Sequence, residues 1–258
     1  SRALLRTVLQ QVSAINASAA KSITQRHFGR TLEEVVDPCW GGPLSDGSFA
    51  DAFASGMTVI IEHCAQRQKR APMSRQEYAL LCYCVISCAT LREVIERSAV
   101  FMQALASQPG RLTLDVSDDI AEFSIHTDYR TRDAIGLLTD LAGLAAFHRL
   151  FAWLVDVPVE LMKVGMCYPP LIDSDAASFM IPYPITFRSQ TNGFRFGAEL
   201  LDRPVQRSPR QLDTLLQRFP FDVNDTQAAR DTLRNRVRSA MATGLSRKDP
   251  SPSQTNIA

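Results

Sequence analysis

The stretch Ile185-Thr186-Phe187-Arg188-Ser189-Gln190-Thr191-Asn192-Gly193-Phe194-Arg195-Phe196-Gly197-Ala198-Glu199-Leu200 decides the fold class. Ile185 and Phe187 stand before Asn192-Gly193 at period two. Phe194, Phe196, Ala198 and Leu200 follow it at the same period. Alternation of this kind sends successive side chains to opposite faces of a sheet, and Asn-Gly accepts the positive φ of a tight turn. The spacing predicts a β-hairpin over 185–200.

Upstream, Leu112, Leu114 and Val116 alternate with polar residues, as do Phe123 and Ile125. Ser117-Asp118-Asp119 lies between them, so a second hairpin is expected, with the two acids as turn residues. Residues 131–155 read as one long helix with few charges between Ile135 and Trp153, the composition of a helix buried between layers. Pro158 ends it, and 159–168 reads as a strand. Downstream, Ser208-Pro209-Arg210-Gln211 opens a helix with proline at its first position.

The first hundred residues read differently. Leu4, Leu5, Val8, Leu9, Val12 and Ile15 make one apolar stripe on a helix expected to run unbroken over 2–28. Thr31-Leu32-Glu33-Glu34, Ser74-Arg75-Gln76-Glu77 and Thr90-Leu91-Arg92-Glu93 are capping boxes, in which a hydroxyl and a carboxylate satisfy orphan N–H groups reciprocally. They predict a short helix stopped by Pro38 and Gly41-Gly42-Pro43, a helix over 78–87, and one running to Leu105 and closed by Pro109-Gly110. A further helix is expected over 49–66. The fold class is therefore α+β: an N-terminal helical layer, then a small mainly antiparallel sheet packed on helices.

Composition narrows the function. The chain has 258 residues, 45% of them hydrophobic, and a net charge of +1. Balanced charge excludes a binder that meets nucleic acid over its whole surface, so such contact must be local. No apolar run approaches the roughly 20 residues of a membrane span, and no signal peptide is legible at the start. Cys39, Cys64, Cys82, Cys84, Cys88 and Cys167 are too sparse for a disulfide scaffold, so a cytoplasmic protein with reduced thiols is expected. Cys84 and Cys88 would share a helix face, with no histidine at ligand spacing, and buried thiols act as small hydrophobes. His27, His63, His126 and His148 include no i, i+4 pair. No metal or cofactor is expected. Phosphate-loop, G-x-S-x-G and H-E-x-x-H motifs are absent, which argues against an enzyme.

Local charge does appear. In Asp225-Thr226-Gln227-Ala228-Ala229-Arg230-Asp231-Thr232-Leu233-Arg234-Asn235-Arg236-Val237-Arg238, Arg230, Arg234 and Arg238 share one face of a helix.

Three segments carry a family resemblance. Phe194-Arg195-Phe196-Gly197-Ala198-Glu199-Leu200-Leu201-Asp202-Arg203-Pro204-Val205 resembles the stretch closing the N-terminal effector domain of AraC-type bacterial transcription regulators, often called arabinose-binding-like. Leu81-Cys82-Tyr83-Cys84-Val85-Ile86-Ser87-Cys88-Ala89-Thr90-Leu91-Arg92-Glu93-Val94 is similar to that domain's helix-turn-helix-like core segment. Arg236-Val237-Arg238 falls where the family's DNA-binding domain begins. The resemblance covers about residues 75–238. It departs from the family where Leu81 and Cys82 replace small residues, and it is loose around Tyr183.

The resemblance implies a sensor that binds a small-molecule effector and forms a homodimer, joined to a helix-turn-helix reader of DNA. Residues 1–222 would be the sensing and dimerisation domain, helical over about 1–108 and α+β over about 111–222. Residues 223–258 would be a linker and the start of a truncated helix-turn-helix domain, 226–244 being its first helix. Arg230, Arg234 and Arg238 would then contact DNA phosphates, the alternative being a solvated helix.

An effector pocket would lie where Phe147, Phe151 and Trp153 face Phe187, Phe194 and Phe196, most of these being core. His126, Tyr129, His148, Tyr168 and Arg195 are the polar groups that could orient a ligand. For the histidines the alternative is a hydrogen-bonded core residue; for Arg195, an exposed one. Leu212, Leu215 and Leu216 are candidates for a dimer seam or hinge, or for packing on their own sheet. Two other classes stay open: an α+β enzyme that processes a small molecule, and an interaction scaffold using Tyr83 and the leucine-rich helix.

Overall fold

The computed structural model describes residues 2–42, 44–105, 110–127 and 132–216. These lie in the first of two units, Ser1–Asp222. The second, Val223–Ala258, holds Arg230, Arg234 and Arg238 and lies outside the described residues.

The apolar stripe of the N-terminus forms α1 (Arg2–Ile15), burying Leu4, Leu5, Val8, Leu9 and Val12. The unbroken helix expected over 2–28 is corrected here. Asn16 leaves the helical region, and its side chain accepts from the Ala19 N–H to cap a second helix, α2 (Ala17–Phe28). An asparagine oxygen satisfies an orphan N–H better at a cap than inside a helix, so the chain turns there. Thr31 makes the expected capping box for α3 (Leu32–Val36). Next come α4 (Asp46–Arg67), capped by Ser45, and α5 (Arg75–Val85), whose Ser74–Glu77 box forms as read. Because α5 ends at Val85, Cys88 lies beyond it and shares no helix face with Cys84.

The third box is only half made. Thr90 caps α6 (Leu91–Ala104), but Glu93 accepts from the Ala89 N–H instead of the Thr90 N–H. Thr90 instead bridges Pro204, and the Leu91 N–H bonds the Arg203 carbonyl, tying α6 to the segment that closes the sheet.

The 111–126 hairpin forms as β1 (Arg111–Ser117) and β2 (Ile120–His126), with Asp118 at φ 51° in its turn. The apolar stretch forms α7 (Ala134–Val155) after an Asp133 cap. Among the described residues, α7 is long and apolar enough to cross a bilayer, which corrects the composition reading. Its buried surface explains the apolarity: it packs on β2, α4 and α6, and on the later segments Ser174–Met180 and Asn192–Gly197. The remaining elements are β3 (Leu161–Met166), α8 (Ser174–Met180), β4 (Ile185–Phe187), β5 (Asn192–Gly197) and α9 (Pro209–Leu215). α9 has the expected Pro209 start and Ser208–Gln211 capping box.

The sheet has five strands in the order β1-β2-β5-β3-β4. All neighbours are antiparallel except β3 and β4. The 185–200 hairpin is therefore wrong: β4 and β5 do not pair, and β3 lies between them. Neither Asn192 nor Gly193 has positive φ; Arg188, at φ 57°, takes that role in the loop. Ala198 and Leu200 leave the strand for a short 3₁₀ turn, Ala198–Asp202. Asn192 is instead a buried strand residue whose side chain is engaged across the structure, as described below.

The register sets Phe123 opposite Phe194, and Val164 opposite Phe194 on the other side. Phe123 lies 5.2 Å from Phe147, 5.1 Å from Phe151 and 5.1 Å from Phe194, ring centre to ring centre. These aromatics seal α7 to the sheet. On the other side α1 and α4 meet closely, since a Cβ at Gly56 would stand 2.5 Å from Val8 Cγ1.

Candidate functional site

One acid interrupts the apolar face of α7. Asp140 is 2% exposed, four residues after Gly136 and nearly two turns into the helix. Its Oδ2 accepts three hydrogen bonds: from Tyr168 Oη at 2.6 Å, Asn192 Nδ2 at 2.7 Å and Thr127 Oγ1 at 2.9 Å. Asn192 Oδ1 in turn accepts from the Cys167 N–H at 2.7 Å. Gly136 makes room for this arrangement, because a Cβ there would stand 3.0 Å from Tyr168 Oη. Thus β2's end, β3's end, β5's start and α7 meet on one carboxyl. Burial pushes Asp140 up to about 7, with the Tyr168 and Thr127 hydrogen bonds pulling the other way.

Asp140 also stands in the wall of a cavity of about 90 Å³. Ile61, Cys64 and Ala65 come from α4, Met102 from α6, Leu112 and Ile125 from the hairpin, and Thr139 to Phe147 from α7. The loop leading to α5 adds Gln68, Arg70 and Met73, and α5 itself adds Tyr78. Cys64 Sγ lies 3.3 Å from Thr139 Oγ1, which donates to the Ile135 carbonyl. Burial pushes the Cys64 thiol up, so it is no ready nucleophile. Burial also pushes the Tyr78 phenol up to about 12, so its hydroxyl stays protonated. A mostly apolar wall with a few polar groups is the usual build of a small-ligand site. Among the described residues, no three His, Cys, Asp or Glu gather where a metal could be held.

The residues singled out from sequence are dispersed: among the described ones Phe147 lines this cavity, and the others do not. His126 lies on β2, its Nε2 2.9 Å from Thr113 Oγ1. His148 packs edge-on to Tyr183 and Phe194, and its Nε2–H donates to the Val159 carbonyl at 2.8 Å. Burial pushes its imidazole down to about 4, against that hydrogen bond. Phe151 and Phe196 are core. Trp153 turns from the sheet and lies under the Arg207 guanidinium, 5.4 Å from its ring centre. Phe187 sits half-buried on the edge strand, and Arg195 is exposed and paired with Glu122 at 2.7 Å. Tyr168 reaches the site through Asp140, and Tyr129 lies outside the described residues.

Leu212 is buried, while Leu215 and Leu216 are half-buried. α9 is held on α5 rather than on the sheet: Tyr83 Oη donates to Asp213, and Arg75 donates to the Leu216 carbonyl at 2.8 Å. Asp140, Gln68 and Tyr78 were missed from sequence. Asp140 alone carried a signal, as a single acid deep within an apolar helix.

Comparison with known families places this geometry. Residues 68–205, more than half of the chain, match the family model described as the arabinose-binding domain of AraC transcription regulators, N-terminal. The match opens at Gln68 and closes at Val205, before the segment that holds Arg230, Arg234 and Arg238. A comparison with curated proteins finds no match.

Proposed function

Since this chain belongs to the AraC-type transcription regulators through their N-terminal arabinose-binding domain, we propose that it senses a small molecule in the cavity beside Asp140. The observation that carries this reading is the buried carboxyl of Asp140 in that wall, inside an effector-binding regulatory domain. Buried titratable groups with a perturbed pKa in a cleft mark functional sites. The effector acts by binding one arrangement of the regulator better than another, which is the only way a ligand shifts an equilibrium.

The rest of the reading follows from the family. The regulator works as a homodimer in the cytoplasm, without catalysis. Its free cysteines accord with a reducing compartment. Residues 223–258 begin the helix-turn-helix part, with Arg230, Arg234 and Arg238 on the DNA backbone. α9, fastened to α5, is the hinge element; the burial of Leu212 favours that role over a dimer seam.

Two measurements test the proposal. In a thermal-shift screen of metabolites, ligands that stabilise the protein should lose their effect in Ala142→Leu and Ala146→Leu, which fill the cavity. Shifts that survive both variants place the effector elsewhere. In a gel-shift assay at low salt, the full-length gene product should bind DNA from its own upstream region. No binding there removes the regulator reading.

A further inference from the structure

The amide of Gln68 is the unusual group in this cavity. Both its Nε2 and its Oε1 are buried, and neither has a hydrogen-bond partner among the described residues. Buried polar groups are nearly always paired, so an amide with neither atom paired needs an explanation. Gln68 lines the cavity, and a ligand head there would supply what the fold withholds.

Several of the other polar groups of the wall are committed, Tyr78 adding one more hydroxyl. Thr127 donates to Asp140, and Thr139 donates to the Ile135 carbonyl. Arg70 has interactions of its own. The apolar lining includes Ile61, Met73, Met102, Leu112, Ile125 and Phe147. A sugar would bury several hydroxyls here with few partners, each unpaired one costing free energy.

Resting on the reading of this cavity as the effector site, we infer that the effector is no sugar but an uncharged amphipathic molecule. It carries an apolar body and one amide- or hydroxyl-type head, which donates to and accepts from Gln68. A carboxylate head would bring an acceptor-only group beside Asp140. An ammonium head only donates, so it would leave Gln68 Nε2 without an acceptor.

Differential scanning fluorimetry of the 258-residue protein with hexanamide, hexanoate, hexylamine and L-arabinose tests this. Saturating hexanamide should raise the melting temperature by about 2–4 °C, and the other three should leave it unchanged. Gln68→Leu should melt at or above wild type without ligand, because an amide with no partner loses nothing when replaced by an apolar side chain. The same variant should lose the hexanamide shift. The inference is overturned if L-arabinose or either ion stabilises as well as hexanamide, if hexanamide produces no shift, if its shift survives Gln68→Leu, or if that variant melts lower. Failure of the cavity reading looks different: ligands would still stabilise, with shifts that survive Ala142→Leu.

Discussion

Asp140→Ala should lower the free energy of unfolding at pH 5 by about 4 kcal/mol, read as a shift of the urea midpoint at unchanged slope. The truncation leaves Tyr168 Oη, Asn192 Nδ2 and Thr127 Oγ1 without their common acceptor. Each abandoned buried donor costs about 1–3 kcal/mol, less than additively when they share one partner. Asp140→Asn keeps an acceptor in place and should cost only about 1 kcal/mol. Equal costs for the two variants would mean that the carboxyl is not the node of the cluster.

The carboxyl also gives a pH signature. Its folded pKa of about 7 lies above the ordinary 3.8. Between those values the folded state holds the proton and the unfolded state releases it, so the contribution of Asp140 falls as pH rises from about 4 to about 7. The advantage of wild type over Asp140→Asn should therefore shrink across that window, by a few kcal/mol at most at about 1.4 kcal/mol per unit. His148 has the opposite sign. Its folded pKa of about 4 lies below the ordinary 6.5, so its contribution falls as pH drops from about 6.5 to about 4. Two buried groups on one helix thus oppose each other over the same range. Urea titrations of Asp140→Asn and His148→Gln through that range should slope in opposite directions relative to wild type.

Gly193→Ala should cost about 3 kcal/mol and lower the yield of folded protein. The reason is contact, not turn geometry. A Cβ at Gly193 would stand 2.5 Å from the Phe123 carbonyl oxygen and 2.6 Å from Ser124 Oγ. Gly193 pairs with Ser124 on β2 and with Gly165 on β3, so it lies in the middle of the sheet. Relief requires the backbone of a central strand to move. Had Asn192-Gly193 formed a hairpin turn, the change would cost only the strain of an alanine at positive φ, about 1 kcal/mol. A cost near that lower figure, with native spectra, would refute the central-strand placement.

Much of the fold was legible because it is local. The Ser74–Glu77 and Thr31–Glu34 boxes, the Pro209 start and the apolar stripe of α1 depend on residues within one or two turns, and the structure keeps them. The β1–β2 hairpin is likewise local. Asn16 and Asn192 mark the limit. Asparagine caps helices, makes turns and bridges buried groups, and sequence weighs only the local uses. The side chain of Asn192 bonds Asp140 on α7 and the Cys167 N–H after β3, both far away in the chain. Those long-range bonds override the turn propensity of Asn-Gly.

The site was less legible for the same reason. The aromatics singled out from sequence are mostly core, as Phe151 and Phe196 show. The cavity instead joins α4, the loop carrying Gln68, α5, α6, the hairpin and more than two turns of α7. No spacing rule connects Gln68 to Asp140.

The sequence by itself determined the α+β class, most helix starts, the β1–β2 hairpin and, through the segments 81–94 and 194–205, the regulator family. Periodicity, caps and turns act over a few residues, so they are written in neighbouring positions. Only the tertiary structure decided that β3 separates β4 from β5, that Asn192 joins Asp140, and that Gln68 faces a cavity without a partner. Each of these depends on which distant groups share a buried space, and burial is what makes a hydrogen bond there obligatory.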